Sequence, residues 1–314
     1  MMIKILITGG AGNVGGALAA RLVKNSNYHI VIVDDLRTGS MSKVPHTLLS
    51  NLTFVKCDVN DFKDISTVML SWKFDYVFHY AALVGVKRTL DNPIRVLEDI
   101  EGIKNILLLS KNSGVRRVFF SSSSEVYGEP VEFPQNELTT PLNSRLPYAI
   151  VKNLAEAYFK SFQKEYNLDF TVFRFFNTYG PLQSSDFVVS KFIEQALLNQ
   201  PITLYGDGLQ TRTFCYIDDN IDATVKIFEE NLFVNQVVNI GNDQEITVKK
   251  LAEKIIDITG SSSKIVYLPP LDEGDMTRRL PDNSKMKQVL KRELLSIDEG
   301  IKRVISIRFN KRIS

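Results

Sequence analysis

The chain has 314 residues, 44% apolar and 24% charged, a composition close to that of ordinary soluble globular proteins, which excludes wholesale disorder and a fibrous architecture. With 38 basic against 36 acidic side chains the formal charge is +2, too small for bulk attraction to nucleic acid or a membrane surface, so any anion must be bound locally. At roughly 150 residues per domain the length suggests about two compact units. The two cysteines, Cys57 and Cys215, cannot build a disulfide framework. No apolar run approaches the ~20 residues of a membrane span. The scattered His29, His46 and His79 are not spaced as a metal site. The opening MMIKILITGG runs into strand and turn rather than a targeting segment, so a cytoplasmic protein is expected.

In the first half, strands are predicted at 3–7, 30–33, 52–56, 76–79, 118–120 and 170–174, alternating with helices at 13–24, 61–70, 93–113 and 148–166. The strands are nearly continuously apolar, as strands buried on both faces must be. Right-handed crossovers between them give a Rossmann-type doubly wound parallel sheet. After about residue 177 the turn-rich segments TYGPLQSSD and YGDGLQTR interrupt short helices, and LPPLDEGD is rich in Pro, Gly and Asp. The expected division is a dinucleotide-binding α/β domain over 1–176 and a smaller C-terminal α/β substrate lobe over 177–314. A helix and a strand within 214–241 are expected to return to the first sheet.

The first strand leads into Thr8-Gly9-Gly10-Ala11-Gly12-Asn13-Val14-Gly15. Gly9 permits a tight turn, Gly12 lets backbone N–H groups approach a pyrophosphate, and Gly15 lets helix and strand pack closely; Asn13 and Val14 belong to the same cradle. GxxGxxG glycines also serve ordinary turns, so the context matters. The next strand ends in Val33-Asp34-Asp35, about 20 residues beyond Gly15, where an acid accepts from adenosine ribose hydroxyls. A carboxylate there repels a 2′-phosphate and favours NAD over NADP, although Arg37 offers such a phosphate a cation. Asp58 and Val59, after the third strand, suit the adenine edge, and Asp58 equally suits an N-cap for the helix near Asp61. Ala81-Ala82 mark either a close backbone approach to the cofactor or packing.

Tyr148 and Lys152 stand one helical turn apart and share a face. Such pairs arise by chance in a chain with 11 tyrosines, so location carries the argument. The pair opens a helix after Phe119-Phe120-Ser121-Ser122-Ser123-Ser124-Glu125-Val126-Tyr127-Gly128, a polar run behind a buried strand, where doubly wound sheets bind ligands. A phenol with its usual pKa near 10 is a poor base at neutral pH, and an adjacent ammonium favours the phenolate. A serine of the run could bond the same substrate oxygen, or the run could be a capping loop.

TGGAGNVG, SSSEVYG, PYAIVK, RFFNTYGP, GDGLQTRTFCYIDD and VNIGND, in this order and at these spacings, resemble the NAD-dependent epimerase/dehydratase family of extended short-chain dehydrogenases. The resemblance implies NAD, a nucleotide-diphospho-sugar substrate and oxidation of its C4 hydroxyl, in supply of sugars for surface polysaccharide. It places Tyr148 as the base, Lys152 as the group that lowers its pKa and holds the nicotinamide ribose, and Ser123 as their hydroxyl partner, with Ser124 and Glu125 beside the sugar. Asn177 would bond the diphosphate, and Arg212 and Arg279 would clamp phosphates or sugar. Cys215 and Tyr216 are expected to pack, and Asp218 and Asp219 to cap the following helix. A homodimer through two helices per subunit, 93–113 and 148–166, is implied, with Tyr158, Phe159 and Phe162 either at its seam or in the core.

Departures from the family pattern narrow the outcome. Dehydratases carry Asp-Glu after the Ser/Thr; here the pair is Ser124-Glu125, so the acid for a leaving C6 hydroxyl is missing and 4,6-dehydration is disfavoured. UDP-glucuronate decarboxylases resemble this chain in their Ser-Glu and in an arginine where Arg279 stands, but carry a longer segment before the tyrosine. Glu125 is open to three roles: deprotonating C5, orienting the sugar, or bonding backbone. Asp99 and Glu101 stand where relatives usually have asparagine. The reading is an NAD-dependent oxidation to the 4-keto sugar. Its rivals are a 4-epimerase or decarboxylase that returns the hydride, and a non-catalytic NAD-binding protein.

Overall fold

The alternating half of the chain folds as β1 (Ile3–Thr8), α1 (Asn13–Leu22), β2 (Tyr28–Asp34), β3 (Leu52–Lys56), α2 (Phe62–Trp72), β4 (Tyr76–His79), α3 (Val86–Asp91), α4 (Pro93–Ser113), β5 (Arg117–Ser123), α5 (Pro147–Tyr166) and β6 (Asp169–Phe175). Then follow β7 (Thr178–Tyr179), α6 (Val188–Leu197), β8 (Ile202–Tyr205), β9 (Thr211–Thr213), β10 (Cys215–Tyr216), α7 (Ile217–Glu229), β11 (Gln236–Ile240), β12 (Glu245–Thr247), α8 (Val248–Thr259), β13 (Ile265–Leu268), α9 (Ser284–Leu290) and α10 (Ile297–Phe309). This computed structural model describes residues 2–45, 49–270 and 276–309, apart from the side chains of 86 and 87. His46 and the 271–275 part of LPPLDEGD lie outside the described residues.

Seven strands form one parallel sheet in the order β11-β6-β5-β4-β1-β2-β3. β1 pairs in parallel with β2 on one side and β4 on the other, so the chain winds outward to β3 and then returns past its own start. That reversal makes the crevice beyond the carboxyl ends of β1 and β4 the ligand position of a doubly wound sheet. Apolarity is continuous along the strands because each face has its own cover. Leu6, Val31, Val77, Val118 and Phe120 pack under α2, α4 and α5 with Ile65, Met69, Ile103 and Phe159. Phe78 and Phe119 are stacked at 4.4 Å, and Phe228 of α7 meets both edge-on at 5.6 and 5.7 Å. Phe159, 1% exposed, is therefore a core residue, with Tyr158 and Phe162 packed against the same cluster.

Local chemistry fixes the helix ends. Asp61 caps α2, its side chain accepting from the Lys63 and Asp64 N–H groups, so Asp58 is not that cap. α4 and α5 begin on prolines at their first turns, where a missing N–H costs nothing. They end at Gly114 (φ +79°) and Asn167 (φ +55°). β5 runs through Ser121–Ser123, beyond the apolar 118–120, because the Ser122 hydroxyl finds the buried Glu156 carboxylate at 2.7 Å.

The chain divides into two compact units, Met1–Val126 with Ser144–Arg174 and Ile221–Val238, and Tyr127–Asn143 with Phe175–Asn220 and Asn239–Ser314. The segment Tyr127–Asn143, within the span 1–176, lies with the second unit. That unit holds short pairs, β7 with β10, β9 with β12 and β8 with β13. Asp218 and Asp219 lie in the first turn of α7, and Asp219 does not cap it: its carboxylate accepts from Arg292 at 2.5 Å and from the Leu295 N–H at 2.8 Å.

Within the first unit, the ends of β1 and β4 are tied by one hydroxyl. Thr8 Oγ1 accepts the N–H groups of Tyr80 and Ala81, each at 3.1 Å. It therefore donates to His79 Nδ1 at 2.8 Å, which fixes the Nε2–H tautomer. Burial, with a smaller push from Lys152, drives the His79 imidazole down to about 3 from 6.5. The unfolded chain therefore takes up this proton first. The associated stability is fully present above pH 6.5 and is lost as pH falls toward 3. Replacing His79→Asn, which keeps an acceptor for Thr8, is expected to flatten the decline of the urea-unfolding midpoint between pH 6.5 and 4 relative to the parent.

Candidate active site

The glycine turn is built for an anion. Gly9 has φ +67°, and a Cβ there would lie 2.6 Å from the Ala81 nitrogen; a Cβ at Gly15 would lie 2.4 Å from the Gly9 oxygen. Neither position admits a side chain. Gly12 is the N-cap of α1 and supplies no side-chain acceptor to the first turn, so the first N–H groups of the helix have no side-chain cap at its positive end. Beside the turn lies an open cleft, lined by Gly9, Asp34, Asp58, Val59, Ala81 and Ala82 of the residues expected from the sequence. Arg37, Asn60, Tyr80, Leu83 and Asp99 complete the parts of its wall that bear on the chemistry. A bare backbone cradle and a cleft with an acid in its wall fit a dinucleotide such as NAD. Asn13, Val14 and Gly15 would hold its diphosphate, and Asp34 its adenosine ribose.

Asp34 is buried, and its two oxygens accept from the backbone: Oδ2 from Ala11 at 3.0 Å and Oδ1 from Leu36 at 2.8 Å. Burial pushes its pKa up, and those two bonds oppose the rise. Arg37, a cleft-lining cation placed to attract a 2′-phosphate, is held at 3.0 Å by both Asp35 and Asp58. Cys57 at the same cleft is buried, and its thiol is pushed up to about 12, so it stays protonated.

Lys152 is 2% exposed. Its ammonium donates to the Ser121 carbonyl at 2.6 Å and lies 4.6 Å from the Phe120 ring centre and 5.6 Å from that of Tyr148. Burial pulls its pKa down to about 8, against the opposing fields of Asp99 and Glu156. Tyr148, one turn earlier, is half-buried. Both lie on α5, outside the cleft's lining. Ser123 Oγ accepts the Glu125 N–H at 3.2 Å, which keeps its own proton for another acceptor, and Ser124 is buried. One network was not visible in the sequence: Glu156 takes Ser122 at 2.7 Å and pairs with the buried Arg174 at 2.7 and 3.0 Å. Its signal was positional, since 148, 152 and 156 share one helix face.

In the second unit, Thr211 is the bridge partner of Arg278, and both side chains engage Glu245, at 2.9 Å and at 2.6 and 2.7 Å. Alternation along a strand turns the next residues, Arg212 and Arg279, to the opposite side together, and there they are 8% and 5% exposed. Arg212 donates to the Thr211 carbonyl at 2.8 Å, and Arg279 lies 2.8 Å from the Met276 sulfur. Asn177 adopts φ +34°, and its amide donates to the Thr213 carbonyl at 2.9 Å, bracing β9 with one of its two protons. Cys215 and Tyr216 are buried.

A doubly wound sheet with a glycine cradle at its switch point and a Tyr-x-x-x-Lys helix defines a short-chain-dehydrogenase type of nucleotide-binding protein. The model of the NAD dependent epimerase/dehydratase family matches residues 5–241, and the chain belongs to that family, whose cofactor is NAD. It is 34% identical to the UDP-N-acetyl-alpha-D-glucosaminuronate decarboxylase of Bacillus cytotoxicus, over 97% of each chain. Among solved structures it is similar to the UDP-glucose 4-epimerase of Thermotoga maritima with UDP-glucose (32% identity, TM-score 0.90, 98% and 99% of the two chains). It is likewise similar to the UDP-glucuronic acid 4-epimerase of Bacillus cereus with UDP-glucuronic acid and NAD (28%, TM-score 0.88, 98% and 99%).

A methyl group at Gly9 would drive into the Tyr80–Ala81 backbone. Gly9→Ala is therefore expected to weaken NAD binding by about tenfold or more, a cost of about 1.4 kcal/mol, measured by calorimetric titration.

Proposed function

We propose that this chain oxidises C4 of a UDP-activated sugar with NAD and returns the hydride to the altered sugar, the substrate being a hexuronate that loses its carboxylate in between. The observation that carries this reading is the run Ser123-Ser124-Glu125 at the end of β5, which pairs a hydroxyl donor with one glutamate and lacks the acid a dehydratase needs. The likeness to a decarboxylase over 97% of both chains and the buried Arg212 and Arg279 support it.

Bound NAD supplies the hydride acceptor and, afterwards, the donor. Tyr148 takes the C4 hydroxyl proton, its phenolate favoured by the Lys152 ammonium on the same helix face. Ser123, its oxygen already accepting the Glu125 N–H, donates to the C4 oxygen. A C4 ketone makes the C5 carboxylate that of a β-keto acid, so the C5–C6 electron pair moves into an enolate as CO₂ leaves. A proton then returns to C5 before C4 is reduced. Glu125 orients the sugar through this sequence. Arg212 and Arg279 clamp the diphosphate or the uronate, a task suited to the planar guanidinium fork. The product would serve as an activated sugar for surface polysaccharide. A homodimer through α4 and α5 accompanies this reading, supported by the exposed Ile94, Leu97, Ile150 and Leu154 on those helices.

A second reading, 4-epimerisation, is favoured by the likeness to the Thermotoga enzyme. Incubation with UDP-glucuronate, UDP-N-acetylglucosaminuronate, UDP-glucose and UDP-N-acetylglucosamine, followed by mass spectrometry and NMR, separates the outcomes. Loss of CO₂ from a uronate without accumulating NADH is expected. Unchanged mass with inverted C4 means an epimerase, loss of two hydrogens a net dehydrogenase, and loss of water a dehydratase. Tyr148→Phe should lower kcat by about 10²–10⁴.

A further inference from the structure

The contacts between β5 and α5 climb in a fixed register toward the reacting groups. Phe120 stacks on Phe159 at 4.9 Å. Two residues further along the strand, the Ser122 hydroxyl donates at 2.7 Å to Glu156, which is about one turn earlier on the helix. Strand numbers rise as helix numbers fall, so the next turn brings Lys152 to the strand's end, where its ammonium donates to the Ser121 carbonyl at 2.6 Å. Tyr148 is one turn beyond on the same helix face, and Ser123 is the last residue of β5. The aromatic contact tolerates sliding, whereas a buried hydrogen bond with a strict distance and angle does not. Glu156 is itself immobilised: the buried Arg174 of β6 donates to both its oxygens, at 3.0 and 2.7 Å. We propose that Ser122 and Glu156 are positioning residues of the oxidation, their bond setting where Ser123 on the strand stands against Tyr148 and Lys152 on the helix. This rests on the roles given to those three residues above.

The reaction needs hydroxyl, phenol and ammonium to converge, and they come from two elements. The connection between those elements leaves for the second unit over Tyr127–Asn143, so no short turn fixes their separation. A contact inside the interface must do it. Misplacement by about 1 Å costs about 10²-fold in rate, which gives the bond a kinetic purpose. Stability alone is a poor reason for the network, since a buried ion pair is often no better than apolar side chains of the same volume. Removing Glu156 or Arg174 strands the other's charge. Removing the Ser122 hydroxyl leaves the pair intact and cuts only the tie between strand and helix.

Ser122→Ala, Ser122→Thr and Lys152→Met are compared with the parent in two measurements. In calorimetric titration without sugar, Ser122→Ala should bind ADP as the parent does and NAD about fivefold more weakly, because ADP lacks the ribose assigned to Lys152. With whichever sugar nucleotide of the panel above the parent turns over, Ser122→Ala should lower kcat about tenfold and leave the sugar's KM within about twofold. Ser122→Thr, which restores the hydroxyl, should recover most of both losses. An unchanged ratio of NAD to ADP affinity, or a kcat equal to the parent's, overturns the proposal whatever happens to the melting temperature. If Lys152→Met binds NAD as tightly as the parent, the role of Lys152 fails instead. If the parent turns over none of the panel, the proposed reaction fails, and the titration alone decides the role of Ser122. Should Ser122→Ala not give a cooperative thermal melt, Ser122→Cys, whose thiol is a weak donor, is measured in its place against the same outcomes.

Discussion

The approach of two backbones at the switch point of the sheet is the constraint on which the first unit depends. Gly9 and Ala81 lie so close that a single methyl group would bring a carbon to 2.6 Å from an amide nitrogen. The Thr8 hydroxyl holds that contact by accepting from two amides of the neighbouring strand end and donating to His79. The sequence cost is specific: a glycine with positive φ, a threonine rather than a valine before it, and an imidazole kept neutral by burial. In return the cleft has a wall made of backbone, which a diphosphate can approach.

Behind the end of β5, charge is arranged around the buried Lys152. Lys152 is desolvated, bonded to a carbonyl and placed against two aromatic faces, an environment that favours loss of its proton. The Glu156–Arg174 pair behind it is internally balanced, and a buried pair of this kind contributes more to fixing geometry than to net stability. By gripping Ser122 it holds the strand that presents Ser123 to the helix that presents Lys152. The register of β5 against α5 is thus set by polar contacts in the middle of an apolar interface.

Much of this was legible in the amino-acid sequence, for identifiable reasons. The six strands of the first half were readable because strands covered on both faces cannot alternate, and Pro147 and Asn167 bracket α5 with backbone chemistry that needs no partner. The glycine cradle was readable because it is local. What was hidden depends on groups distant in the chain. Nothing near Asp219 indicates that Arg292 and the Leu295 amide will take its carboxylate instead of a helix cap. Ser122, Glu156 and Arg174 are separated by 34 and 18 positions, so their convergence could be seen only once the sheet existed. Asp58 was the cap expected for the helix near Asp61, and the turn geometry gave that role to Asp61 itself. The serine run looked like a loop because its satisfaction by a buried glutamate is a tertiary event.

Arg37 is gripped by carboxylates from two different segments, Asp35 after β2 and Asp58 after β3. The clasp occupies a cleft-lining cation and sets two carboxylates beside it. Redesign toward the phosphorylated dinucleotide therefore faces a coupled problem: neutralising Asp34 alone leaves the guanidinium occupied, and releasing it requires edits at both Asp35 and Asp58.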